Sequence, residues 1–419
     1  RAYFENESYK TSGYQALKYH AFYSTSVSNT SGNGGTLNAT QYYNPDRQAE
    51  NLPMYAYSTD HWLNFSNICA AVKIYVPCTA DSIVISNTSA AMNGNFTVDN
   101  ESHMAVINDE LSEDNKKITI YKVTKGSTTV FHPGDSLYVA IPDGEYEGFC
   151  ITFFEGENIA YTTGASNNAL KVVANKMYVI GDYKFEKYLP GKFSIANGKT
   201  VLFTKGNLLY DRNNGTAYLA ESQTYFPASW DANAIAWFTW NTDINSSSLD
   251  NHTYSSSTDD NIFALNFTLG NESLQLMSKN EWASLMYNEQ GVTHRSNWAG
   301  LYKLKVDVGG TLCIVIAPDD FVGQIKTKYN SLKEANRIGL VCLPYAGHSQ
   351  YNESQASAVL STTTSGRMAR YWTATNNDND NAYNLVFNEN GGTEGLLSNG
   401  KSVGRSIRLV KVIARNTPN

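Results

Sequence analysis

What most constrains this chain is a series of short β-branched and aromatic runs, each bounded by turn residues, with almost no helical periodicity between them. Ala70-Ala71-Val72-Lys73-Ile74-Tyr75-Val76 alternates along its length. Alternation puts one set of side chains on one face of a strand, and the same spacing scatters them around a helix. Ser82-Ile83-Val84-Ile85, Ile118–Val123, Leu137–Ile141 and Gly148–Phe154 follow, and Met177-Tyr178-Val179-Ile180 closes the series. Pro142-Asp143-Gly144 reads as a turn between two of them, with φ preset at Pro and no Cβ clash at Gly. Short strands punctuated by turns predict an all-β sandwich. Residues 1–60 are less regular, rich in Tyr, Ser, Asn and Gly, as in SNTSGNGGTLN at 28–38.

At 419 residues the chain exceeds one ordinary core, so two domains are expected. The Pro190-Gly191 pair sets the boundary: domain one over 1–187, a linker over 188–192, domain two over 193–413 and a tail over 414–419. Domain two mixes strands with two helix starts. Ser278 precedes Glu281 by three residues, a capping box, and Ser331 stands in the same relation to Glu334. Strand-like runs surround them at 192–195, 201–203, 311–316, 339–344 and 406–412, and a polar loop is expected over 241–261. The predicted class is α+β.

Composition narrows the function. The net charge of −7 argues against nucleic acid or an anionic membrane as partner, since both need a basic face. No apolar run approaches the ~20 residues of a membrane span. The 28 Tyr, with abundant Asn, Ser and Thr, suit a surface-exposed β protein. The five cysteines show no CxxC spacing. Four of them sit inside apolar runs, which reads as small buried hydrophobes; Cys69 and Cys78 are the one pair near enough in sequence to close a hairpin. The seven His fall in no metal-ligand spacing, and HExxH and GxSxG are absent. Asp259-Asp260 and Asp319-Asp320 are adjacent in sequence, which points the two carboxylates of each pair to opposite sides of an extended chain. No enzymatic activity and no cofactor are expected.

Residues 371–387, YWTATNNDNDNAYNLVF, place a run of Asn and Asp between two aromatic arms. Such oxygens suit Ca²⁺, but the run lacks the glycine and the terminal glutamate of an EF-hand loop. Asn and Asp also close hairpins by bonding their own backbone. The run is read as an exposed hairpin loop and not as a metal site.

FSIANGKTVLFTKGNLLY at 193–210, SKNEW at 278–282, IAPDDF at 316–321, LVCLPYAG at 340–347, YWTAT at 371–375 and GRSIRLVKV at 404–412 together resemble the C-type-lectin-like domain of Bacteroidales-type surface proteins. The resemblance implies a compact α+β domain with two helices and a variable long loop. Calcium-dependent sugar binders of this fold carry EPN or QPD followed by WND, and formylglycine-generating enzymes carry a cysteine pair near the C-terminal strand. This chain has neither set. The stretches 52–76, 137–153 and 175–186 look like fimbrillin-type proteins. That resemblance implies an exported lipoprotein, its leader removed next to an arginine, that joins other fimbrial subunits by strand exchange at the outer membrane.

Taken together, the resemblances imply a fimbrial tip or accessory adhesin at the cell surface. Its N-terminal sandwich would accept a strand from another pilin, and its C-terminal domain would meet a glycan or a host or bacterial surface protein. The alternative is a surface glycan-binding lipoprotein that never polymerises. The candidate ligand-binding residues are Trp372, as a stacking platform, with Asn377, Asp378, Asp380 and Arg405; core packing is the other reading of Trp372, since a Trp in a strand is usually mostly buried. Arg405 and Arg408 are expected to pair with those acids or to solvate an edge.

Overall fold

The alternation at 70–76 becomes the strand Ala70–Tyr75, with Ala70, Val72 and Ile74 fully buried and the residues between them partly exposed. The structure, a computed structural model, describes residues 2–6, 19–48, 50–58, 62–99, 101–196, 198–227, 234–240, 267–287, 302–352, 357–360, 367–391 and 394–415. It is mostly β-sheet and divides into two compact units, Arg1–Tyr183 and Lys184–Asn419.

In the first unit, Ala70–Tyr75 lies between Ser136–Ile141, antiparallel to it, and Met177–Ile180, parallel to it. A six-stranded sheet centres on Ser82–Ser86, flanked by Lys117–Thr124 and Cys150–Glu155. Thr40–Tyr43 joins that sheet in parallel. The buried Gln41 amide bonds both the N–H and the C=O of Ala140, linking this sheet to its neighbour. Two four-stranded sheets complete the unit, and they draw strands such as Gly34–Leu37 and Met54–Ser58 from the stretch that reads as irregular in sequence.

The strands expected on either side of Pro142-Asp143-Gly144 are both present. They do not pair with each other. Ser136–Ile141 pairs with Ala70–Tyr75, and Cys150–Glu155 pairs with Ser82–Ser86. Between them Gly144–Tyr146 pairs with Leu170–Val172. Tyr146 is buried and its hydroxyl donates to the Pro142 carbonyl at 2.9 Å, which directs the chain into a different sheet. The residue with positive φ is Gly148, at 59°, and not Gly144.

The second unit contains both α-helices found among the described residues, Lys279–Tyr287 and Leu332–Asn336. The first capping box forms: Glu281 N–H donates to Ser278 Oγ at 3.2 Å and Ser278 N–H to Glu281 Oε2 at 2.7 Å. Glu281 is buried and also meets Lys199. The second box does not form. Ser331 makes no side-chain cap, and Glu334 accepts instead from Asn330.

Residues 188–192 are not a free linker. Leu189 is buried in the second unit's core with Phe193, Phe203 and Trp282, and its N–H donates to the Phe203 carbonyl. A Cβ at Gly191 would meet Pro318 and the Gly339 carbonyl at 2.9 Å, so only glycine fits there. Ala414 and Arg415, expected in the tail, belong to the last strand, Leu409–Arg415, which lies between Lys199–Phe203 and Glu272–Leu276. Residues 416–419 and the 241–261 loop lie outside the described residues. All five cysteines are free thiols, four of them buried. No helix among the described residues is long and apolar enough to cross a membrane.

Candidate functional site

The run at 371–387 folds as a hairpin. Met368–Asn376 pairs antiparallel with Asn381–Asn388, and Glu394–Gly400 adds a third strand. At its tip Asp378 organises the loop. Its Oδ1 accepts from the N–H of Asp380 at 2.9 Å and of Asn381 at 2.8 Å, and both carboxylate oxygens accept from the Asn381 amide. The Asn377 amide donates to Oδ2 at 2.6 Å. These bonds, the Asp380 N–H first among them, hold the Asp378 carboxyl below its ordinary pKa. The buried Lys401 fixes the loop from below, with its N–H on the Asp380 carbonyl and its Nζ on the Asn379 carbonyl. The Asp378 oxygens therefore serve the loop's own donors. Among the described residues no group of three or more His, Cys, Asp or Glu side chains is arranged to hold a metal ion.

The structure separates the five candidate residues into two places. Asn377, Asp378 and Asp380 are exposed together at the tip. Trp372 and Arg405 are together at the root, 0% and 1% exposed. Of the two readings of Trp372, stacking platform and core packing, its burial matches the core one. Its Nε1 donates to the Phe238 carbonyl at 2.7 Å, Trp240 packs edge-on against it, and no ring face reaches solvent. Arg405 neither solvates an edge nor pairs with the loop acids. Its guanidinium lies 4.3 Å over the Trp372 ring, and Nη1 donates to Asn384 Oδ1 at 3.1 Å. Backbone pairing sets this register: Arg405 exchanges both hydrogen bonds with Phe238, and Ser406 bridges Arg370 and Trp372 on the Met368–Asn376 strand.

Arg408 is also buried, three residues further along the chain; its terminal nitrogens are satisfied, while its Nε has no hydrogen-bond partner. It donates to the carbonyls of Thr204, Gln223 and Cys342 at 2.8–3.1 Å. The Gln223 side chain in turn binds Asn336, the Leu340 carbonyl and the Cys342 N–H. This network joins distant segments of the second unit around one cation and has no opening for a ligand.

Reading the sequence did not single out Arg370 and His348. Arg370 is partly exposed on the Met368–Asn376 strand, on the same face as Trp372. His348 is buried and follows Gly347, whose N–H donates to the Met368 carbonyl. The charges of Arg370 and Arg405 both act on the His348 ring. With burial as the larger cause, they drive its pKa down to about 3. Burial lowers both arginines as well, Arg405 the more, with Arg370 adding repulsion. A single Arg at 370 and a single His at 348 carry no motif, so only the fold reveals their convergence. No family model matches the chain, and neither does any curated protein or solved structure.

Proposed function

We propose that the chain is a tip or accessory adhesin of a surface fimbria, with a fimbrillin-like first unit and a C-type-lectin-like second unit. The first unit accepts a strand from another subunit, and the second contacts a glycan or a protein on an opposing surface. Its work is binding and not catalysis. The observation that carries this reading is the edge strand Met177–Ile180. It pairs with Ala70–Tyr75 on one side only among the described residues, and it exposes Met177 at 65% and Val179 at 49%. An open edge with apolar side chains is a template for an added strand. The chain's last described strand, Leu409–Arg415, is fixed in mid-sheet, which fits an acceptor better than a donor.

The test is incorporation of the full chain into fibres, followed by immunogold labelling. We expect label at fibre ends for the natural chain and its loss in Met177→Lys/Val179→Lys. The urea midpoint should move little, since surface changes stay within about 0.5 kcal/mol. Surface protein that never co-locates with fibres would favour the non-polymerising glycan-binding lipoprotein. A glycan and matrix-protein array run with calcium and with chelator should give the same binding in both, because the loop's carboxylate is already committed to its own donors.

A further inference from the structure

At the root of the hairpin, two guanidinium groups and an imidazole from three segments converge: Arg370 from the strand, Arg405 from the bridge beside it and His348 from the segment before it. They lie close enough that the arginine charges act on the imidazole and Arg370 acts on Arg405. Buried cations are normally paired, because removing a charge from water costs several kcal/mol. Here no carboxylate among the described residues pairs with any of the three. Arg405 has an amide and an aromatic face, and Arg370 has only the Met368 sulfur. Nε of Arg370, Nε of Arg405 and Nδ1 of His348 are all buried without a hydrogen-bond partner. Nε of the buried Arg408 has no partner either, but three carbonyls serve its terminal nitrogens, whereas those of Arg405 meet one amide oxygen and those of Arg370 one sulfur. Orphaned donors on desolvated guanidinium groups lack just what an anion supplies.

We propose that Arg370, Arg405 and His348 form a binding site for an oxyanion, a carboxylate or a sulfate, either free or carried on a sugar. Each Nε–H, with the neighbouring terminal N–H, offers the side-on fork that carboxylate and sulfate oxygens accept in pairs. Asn384 holds Arg405 from behind: its amide is fixed by the Leu397 carbonyl and Asn399 Oδ1, which turns its own oxygen to the guanidinium. Trp372 closes the floor. Arg370, the partly exposed member, is the way in. His348, whose buried Nδ1 has no partner and on which both arginine charges act, reports on occupancy. The sugar-borne source rests on the adhesin reading, whereas the free-anion source does not.

The experiment titrates the full chain with sodium sulfate, sodium glucuronate and glucose, at constant ionic strength in sodium chloride. It follows the melting temperature and the His348 ring resonances by NMR. We expect the oxyanions to raise the melting temperature and shift the His348 signals, and glucose and chloride to do neither. Arg370→Gln, at a partly exposed position, should keep the fold and weaken binding about tenfold, with Arg370→Lys intermediate. Arg405→Gln should abolish binding, with the fold checked by the dispersion of the NMR spectrum. Glucuronate binding tighter than sulfate assigns the sugar-borne group, and a response to sulfate alone assigns a free anion. No response to either anion in the natural chain overturns the site. So does binding that Arg370→Gln leaves unchanged.

Discussion

At the tip of the 368–388 hairpin, Asp378 draws all its donors from within three residues. At the root, Arg370 and Arg405 have no carboxylate partner among the described residues. Opposite charges on one hairpin thus ignore each other. The five residue steps from Trp372 to Asn377 span about 17 Å of strand, roughly twice the Debye length at physiological salt. The tip is solvated, and local hydrogen bonds suffice to close it. The root is dry, and its charges must be met by fixed groups or by something that binds. An exposed polar loop attracts attention in a sequence, yet the unresolved electrostatics lie beneath it.

Substitutions at the two ends test that contrast. The largest effect is expected at Arg408, whose loss strands three buried carbonyls. Arg408→Met should cost about 3–5 kcal/mol in urea unfolding. Trp372→Ala should follow at about 3–4 kcal/mol, as for other buried aromatics. Trp372→Phe should lose only the bond to the Phe238 carbonyl, about 1 kcal/mol. A ligand-stacking Trp372 would instead lose binding with stability unchanged.

His348 should give a smaller, pH-dependent signature. Its folded pKa, about 3, lies below the ordinary value of 6.5. Above pH 6.5 the ring is neutral in both states and contributes no slope. Below that the unfolded chain takes up a proton that the folded chain refuses, so stability falls as pH drops from about 6.5 toward 3. His348→Gln should remove that part of the slope, read from urea midpoints at pH 7, 6, 5 and 4. Asp378→Ala should matter least. Its carboxylate is exposed, so we expect faster amide exchange at Asp380 and Asn381 with no measurable change in midpoint.

The sequence announces its strands best where apolar and β-branched residues alternate or run on without a break. Ala70–Tyr75, Thr311–Ile316 and Met177–Ile180 stand where their patterns place them. It hides them where glycine replaces alternation. Gly34–Leu37 pairs closely with Gly94–Val98, and a Cβ on Gly35 would come within 3.2 Å of the Phe96 ring, so the strand is built from residues that show no apolar period. The capping box at Ser278 was legible because its partners are three residues apart. The one at Ser331 fails because Asn330 competes for Glu334. The loop at 376–381 was legible for the same local reason. The fates of Trp372 and Arg405 were not, because strand type alone does not say which sheet covers a face. The partners that decide it, Phe238 and Asn384, are 134 and 21 residues away.

The position of Leu409–Arg415 also bears on the order of events during synthesis. The first unit's own described strands are all made by Ile180, and it can fold while the second is still being made. The second cannot complete its five-stranded sheet until Leu409–Arg415, the central strand, has been made. Until residue 415 emerges, Lys199–Phe203 and Glu272–Leu276 face an empty slot in their sheet. Both edges stay bare until that strand emerges, the Lys199–Phe203 edge the longer, so the second unit completes its fold late.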